Sequence, residues 1–484
     1  MSEPRTNSKQ NDIRFDDYMS EADTSMWLGE RDPRLRSTMV SVWVLDRMPA
    51  EGDFEAMLAH SVEEIPRLRQ RVVRDPLEIA PPRWEIDPNF DPSFHLRKLH
   101  LGPDGDLRAL LDLAEPIAMQ AFDKDRPLWE FYLVDGLQDG KAGVIMKLHH
   151  AVSDGVGLVN MTKSMVDYTP DAPDGPDAPR AKRRLADLDT PEPASKTDLV
   201  RDGLAHRVRT ARENSRRFFS GVADLAGEFA SRPTETFERA RDMVGSVGRL
   251  LEPVTEPASP IMRDRGMALS LGCFMVPLES VKRTGRAMGG SVNDVFVTAM
   301  AGGLARYHDH FGASVDELHM MMPINMRSTD ESGRKAGNQF APARFLVPVG
   351  TSDPLERMEQ LQERIQAQRQ EGALGYLEDI TRVINTLPAS MTDALMAGMT
   401  TSIDFVTSNV PGPRRATYTA GAKIEHMFPF GPPAGAAVNI TLFSYEGQCH
   451  VGVNADRAAV EDPELLLECL EKSFGDLLST YDEE

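Results

Sequence analysis

The sequence predicts a mixed α/β fold in two subdomains joined by a helical connector, and three observations carry that reading. Short runs rich in branched and aromatic residues, such as Met39–Leu45 (MVSVWVL) and Ala142–Leu148 (AGVIMKL), alternate with segments whose apolar residues recur at helical spacing. At 484 residues the chain exceeds one ordinary domain. Between Tyr168 and Pro193 a stretch dense in proline, aspartate and alanine breaks the apolar periodicity, as a linker does. The boundaries that follow are a tail over 1–15, an N-terminal subdomain over 16–168, linker and helical connector over 169–265, and a C-terminal subdomain over 266–484.

Taken in order, the polar tail through Asp12 is expected to be disordered, and Asp23 is expected to cap a short helix before the strand at Met39–Leu45. Phe54, Met57, Leu58, Val62 and Ile65 mark a helix. His95 reads as a packed histidine of an edge strand, and Leu107–Leu113 as helical. Pro127 blocks helix ahead of the strand-like run Trp129–Val134, and the strand Ala142–Leu148 follows. Beyond the linker, Arg201, Arg207, Arg209, Arg212, Arg216 and Arg217 share a helical stretch with Leu204, Val208, Phe218 and Phe219. Such a stretch is either a solvated hairpin between domains or a basic face for anionic lipid or CoA phosphates.

The second subdomain opens with a strand near Met267, then a helix from Ser291 to Tyr307 with Ser291 or Asn293 as its cap. Strands are expected at Met320–Met326 and Phe345–Val349, helices at Pro354–Gln370 and over much of Tyr376–Ala397, and a strand ending at Thr407. Ser408–Pro413 is expected as a rigid turn with Ser408 and Asn409 at its lip. A helix over Pro463–Leu478 closes the chain.

Composition excludes several functions. With 54 Lys and Arg against 75 Asp and Glu the net charge is −21, which disfavours wholesale binding of nucleic acid or of an anionic membrane, so any anion site must be local. Cys273, Cys449 and Cys469 are few, odd in number and far apart, as expected of reduced thiols in a cytoplasmic setting. No apolar run approaches the ~18 residues of a membrane span, and the first residues lack a secretory core. A cytoplasmic protein, soluble or peripheral at a lipid surface, is the expectation.

Chemistry concentrates where the strand Ala142–Leu148 ends, in His149-His150-Ala151-Val152-Ser153-Asp154-Gly155. Neutral imidazole, with a pKa near ~6.5, can take the proton of a hydroxyl as its oxygen attacks a carbonyl. Side chains alternate along an extended chain, so at most one of the two histidines faces a given site, and a hydrogen-bonded buried histidine is the competing reading. Adjacent histidines converge poorly on one metal ion, and no metal is expected.

HHAVSDG matches the HHxxxDG motif of CoA-dependent acyltransferases, and the chain resembles the bacterial wax ester synthase/diacylglycerol acyltransferase family. Further matches are Ser20–Asp23 (SEAD), Arg126–Glu130 (RPLWE), Asn293–Val295 (NDV), Pro323 with Arg327, Gly337-Asn338, and Ser408–Pro413 (SNVPGP). The resemblance implies two CoA-dependent-acyltransferase-like subdomains with His150 at their interface as general base. It also implies a structural Asp154, a small Gly155 beside the base, and Asn293, Asp294, Ser408 and Asn409 on the substrate side. Arg126 and Trp129 would be scaffold, and Gly431, Gly435 and Ala436 would either leave room for an acyl chain or pack the sheet. The implied partners are acyl-CoA, as substrate and with no further cofactor, and diacylglycerol or a fatty alcohol, met at a membrane or lipid-droplet surface. Two alternatives stay open: a condensation-type acyltransferase using carrier-bound substrates, and a catalytically silent lipid-droplet-binding protein.

Overall fold

The computed structural model describes residues 14–153, 161–170, 195–210, 212, 256–325, 335–336, 340–369, 398 and 400–482. The expectations for the tail, the linker, Asp154, Gly155, Arg216–Phe219, Arg327, Gly337–Gln339 and the helix over Tyr376–Ala397 fall outside the described residues.

The N-terminal region runs β1 (Arg14–Phe15), α1 (Glu21–Gly29), β2 (Thr38–Leu45), α2 (Asp53–Glu64), β3 (Gln70–Val73), β4 (Arg83–Ile86), one helical turn at Pro92–His95, and β5 (Leu96–Gly105). Then come α3 (Leu107–Met119), β6 (Trp129–Leu137) and β7 (Ala142–His149). The cap of α1 is Ser20, not Asp23: the Ser20 hydroxyl accepts from the Asp23 amide and donates to the Asp23 carboxylate. A hydroxyl both accepts and donates in that geometry, so the three-residue spacing closes in both directions. Residues 196–210 form α4, which packs on this region through the His206 ring, stacked 3.8 Å from Tyr18, and an ion pair of Asp202 with Arg83 at 3.1 Å.

The C-terminal region contains β8 (Leu269–Pro277), α5 (Leu278–Ala287), α6 (Val292–His310), β9 (Glu317–Asn325), β10 (Lys335–Ala336), β11 (Phe340–Pro348) and α7 (Pro354–Arg369). It continues with β12 (Phe405–Pro411), β13 (Tyr418–Thr419), β14 (Ala422–Phe430), β15 (Val438–Tyr445), β16 (Gln448–Asp456) and α8 (Pro463–Asp482). Two six-stranded sheets result, ordered β13-β14-β2-β7-β6-β5 and β11-β9-β12-β15-β16-β8. Both mix parallel and antiparallel neighbours, and helices α5, α6 and α8 bury the apolar face of the second.

Sheet membership does not follow chain order. β14 pairs antiparallel with β2, Phe430 opposite Val40, so the C-terminal half supplies two strands to the N-terminal sheet. Where β14 passes β16 the backbones nearly touch, and a Cβ on Gly452 would lie 1.7 Å from the Pro429 carbonyl oxygen. Only glycine permits that approach. A second tie is Glu115 of α3. Its Oε1 accepts from the Leu271 amide and from Arg108, both at 2.9 Å, and its Oε2 accepts from Arg457 at 2.8 Å, joining α3 to β8 and to the end of β16.

The segment expected as a turn at Ser408 is strand. β12 runs through Pro411 parallel to β15, Ser408 opposite Thr441 and Asn409 opposite Leu442. Residues before proline favour extended backbone, so the strand expected to end at Thr407 runs on through Ser408, Asn409 and Val410 and ends at Pro411. On its other side β12 pairs with β9 only at Phe405–Met320 and Val406–Met321, and the described ladder ends there.

Candidate active site

The strand pairings bring the histidine loop against the start of β2. Thr38 lies opposite His149, and the next residue, His150, leaves the strand in a 3₁₀ turn, His150–Val152. Its amide donates to the Ser37 carbonyl at 2.8 Å, which carries the β2–β7 ladder one step further.

The two histidines are sorted by their surroundings. His149 is fully buried, with Trp27 and Phe122 edge-on to its ring at centroid distances of 5.7 and 6.0 Å. The Ala151 amide donates to its Nδ1 at 3.0 Å, so the ring proton sits on Nε2, which lies 2.9 Å from Oε1 of Glu30. Both ring nitrogens are therefore committed to holding the loop. His150 is half-buried. A base must reach a substrate hydroxyl, and of the pair only His150 retains solvent-facing surface.

Glu30 was not singled out by any sequence motif, yet it organises the turn. Its Oε1 also accepts from the Ser37 amide at 2.8 Å, and Ser37 in turn accepts from His150 through its carbonyl. Lys124 approaches Oε2 at 3.4 Å. Burial works to raise the Glu30 carboxyl, but the hydrogen bond and charge of His149, the Ser37 amide and Lys124 outweigh it and hold it down to about 2. A carboxylate depressed on folding stabilises the native state fully above its ordinary value of 4.5, and that contribution is lost as pH falls toward 2. Glu30→Gln should therefore cost about 1.5–3 kcal/mol at pH 7. Urea midpoints of wild type and variant should converge below pH 4.5; a gap that persists there would show that the charge is not what matters.

Behind the histidines lies a second buried charge system on the same face of the sheet. Lys147, two residues before His149 and fully buried, sits 3.6 Å from Oε1 of Glu130, its cross-strand partner on β6. Oε2 of Glu130 accepts the Tyr132 hydroxyl and lies 3.5 Å from Arg97. The Lys147 ammonium also stands 4.4 Å from the Phe122 ring centre. Burial pushes Lys147 below its ordinary value, against the pull of Glu130. Trp129 donates its indole N–H to the Leu68 carbonyl at 2.7 Å and stacks on His95. His95 is fully buried, with Nδ1 2.7 Å from the Trp129 carbonyl, and burial lowers it to about 4. It closes the turn Pro92–His95 just ahead of the edge strand β5. These are scaffold roles, as is that of Arg126, whose guanidinium lies over Phe94 at 4.2 Å.

The candidates from the C-terminal half cluster on the second sheet. Ser291 caps α6 in a reciprocal box with Asp294, whose Oδ2 accepts from the Ser291 amide and hydroxyl, both at 2.8 Å. Asp294 is thereby spent on the cap. Asn293, half-buried on the same first turn, places Nδ2 3.6 Å from Met322 Sδ on β9. Strand alternation divides the remaining pair: Asn409 shares the α6-facing side of β12 with Phe405 and Thr407, and Ser408 shares the opposite side with Val406. Asn293 and Asn409 thus belong to one side and Ser408 to the other. Near the histidine turn, a small recess of about 30 Å³ lies among Arg36 and Thr38, Met119 of α3, Met267 and Leu269, and Gly435. Arg36 and Thr38 flank Ser37, the residue that holds the His150 amide. Among the described residues no group of His, Cys, Asp and Glu could hold a metal ion, and no helix is long and apolar enough to cross a membrane.

Comparison with known proteins finds the catalytic domain of wax ester synthase/diacylglycerol acyltransferases over residues 10–296 and the C-terminal domain of the same enzymes over residues 336–478. A Mycobacterium tuberculosis protein named as a diacylglycerol O-acyltransferase is 34% identical over 469 residues, covering 96% of this chain and 92% of that protein. A second from the same organism is 29% identical over 433 residues, covering 86% of each chain. Among solved structures, the wax ester synthase/diacylglycerol acyltransferase of Marinobacter aquaeolei superposes with a TM-score of 0.60 at 20% identity, covering 96% of this chain and 99% of that one. The first condensation domain of the CDA synthetase superposes at 0.59 with 17% identity, covering 97% and 96%. The two solved structures share the fold, two subdomains with mixed sheets.

Proposed function

Because the chain belongs to the wax ester synthase/diacylglycerol acyltransferase family, we propose that it moves a long-chain acyl group from acyl-CoA to the hydroxyl of diacylglycerol or of a fatty alcohol, with His150 as the general base. The observation that carries the assignment is the sorting of the two histidines: His149 spends both ring nitrogens on the loop, and His150 stands half-buried beside it. In this scheme a ring nitrogen of His150 takes the acceptor's hydroxyl proton as that oxygen attacks the thioester carbon. The tetrahedral oxyanion needs preorganised N–H donors, and the Asn293 carboxamide is the side-chain candidate. Collapse breaks the carbon–sulfur bond, and His150 returns its proton to the CoA thiolate. No cofactor enters, since acyl-CoA brings its own activated acyl group.

Diacylglycerol and long-chain alcohols reside in lipid, so the protein works at a membrane or lipid-droplet surface. Purified protein with palmitoyl-CoA, offered hexadecanol in one reaction and dipalmitoylglycerol in another, should release CoA only when an acceptor is present. The faster acceptor identifies the physiological class. Release confined to a carrier-protein-bound acyl donor would replace this reading with the condensation-type alternative.

A further inference from the structure

We propose that the outward face of α4, together with the loop 75–80 beside it, is the surface by which the protein docks on anionic phospholipid. At 3.6 residues per turn the helix divides cleanly. Leu199, Gly203, His206 and Thr210 face the N-terminal subdomain, where Gly203 lies against Asp75 and Ala80 and His206 stacks on Tyr18. Leu204 and Val208, about 40° apart on the wheel, point the other way and are 54% and 60% exposed. Arg201 and Arg212 fall on one side of that apolar pair and Lys196 and Arg207 on the other, all exposed.

The neighbouring loop extends the patch. Arg207 donates to the Ile79 carbonyl at 3.2 Å, which fixes the loop against the helix. Within the loop Asp75 gathers the amides of Leu77, Ile79 and Ala80 at 2.9–3.1 Å, and so holds Leu77 out at 66% exposure. Exposed apolar side chains framed by arginines are the pattern of an interfacial helix, in which the side chains enter the headgroup boundary and the cations meet lipid phosphates. Of the acidic groups, Asp202 lies between Arg83 at 3.1 Å and Arg201 at 3.4 Å, Asp198 lies 3.2 Å from Arg201, and Glu78 of the loop pairs with Arg74, so each carboxylate is matched by a cation. The chain as a whole carries −21, so a basic apolar face is a local exception that selects an anionic partner and orients the molecule on it.

The assignment rests on the proposed use of membrane-resident acceptors, but its test does not. Full-length protein is sedimented with vesicles of phosphatidylcholine alone and of phosphatidylcholine mixed with phosphatidylglycerol. Wild type should pellet with the mixed vesicles and stay in solution with the neutral ones. Leu204→Glu/Val208→Glu should abolish pelleting, and Arg201→Ala/Arg212→Ala should weaken partitioning about thirtyfold. All variants should keep wild-type CoA release from palmitoyl-CoA with a water-miscible alcohol, which reports folding. Equal binding to both vesicle types, absence of binding by wild type, or wild-type binding by both double variants would overturn the assignment. Vesicle binding without CoA release would instead overturn the acyltransferase reading and leave the docking face standing.

Discussion

His150→Ala should lower acceptor-dependent CoA release by about 10²–10⁴-fold while leaving the urea midpoint unchanged. The expectation follows from the asymmetry of the pair. His150 contributes its backbone to the fold through the amide bond to Ser37, and alanine keeps that bond. Its ring is half-buried and carries the proposed proton transfer, so its loss falls on kcat more than on stability. His149→Ala should show the reverse bias: it removes a fully buried ring, leaves the Ala151 amide without its acceptor and strands Glu30 without its main partner. Near-normal turnover by a well-folded His150→Ala protein would remove His150 from the mechanism.

Glu130→Ala should cost about 3–5 kcal/mol, the usual consequence of leaving a buried charge without its partner. Lys147 is fully enclosed, and with Glu130 gone its ammonium faces only the Phe122 ring and neighbouring cations. A lysine whose folded pKa lies below its unfolded one makes the unfolded chain bind more protons, so stability rises with pH between the two values. The deficit of Glu130→Ala should therefore shrink as pH rises toward ~10.5 and level off above it, where the lysine is neutral in both states. Chemical denaturation at neutral and alkaline pH measures this. A deficit that is the same at both would mean that lost packing, not the unpaired ammonium, is responsible.

Much of the chemistry was readable from the chain because it is local. The strand ending at His149 is visible in AGVIMKL, and the helix behind Ser291 in its cap and spacing. What was not readable depends on partners distant in sequence. No pattern in FDDYMSEADTSMWLGE distinguishes Glu30 from its acidic neighbours, because its role exists only once β2 has brought Ser37 and His149 to it. A signal for Glu130 and Lys147 was present: each is a charged residue inside an apolar strand run, and such residues need one another. The extended backbone at Ser408–Pro411 was masked by its prolines, which read as turn formers in isolation and as strand terminators beside β15. Pairing of β14 with β2 lay beyond reach for a different reason, since alternation reports which face of a strand is buried but not which strand lies beside it.

That pairing has a consequence for synthesis. The edge of β2 that β14 covers begins to close only at Lys423, which lies 377 residues beyond its partner Asp46, and closes fully with Phe430 opposite Val40. At ~5–20 residues per second, the ribosome needs roughly 20–75 s to cross that interval. Throughout it, a strand of eight residues, seven of them buried in the finished protein, presents unpaired amides and carbonyls to solvent. An open apolar edge is a template for pairing with other chains. The nascent protein therefore depends on a chaperone or on dilution until about its last eighth emerges, and a fragment ending near Tyr168 would carry the same exposed edge permanently.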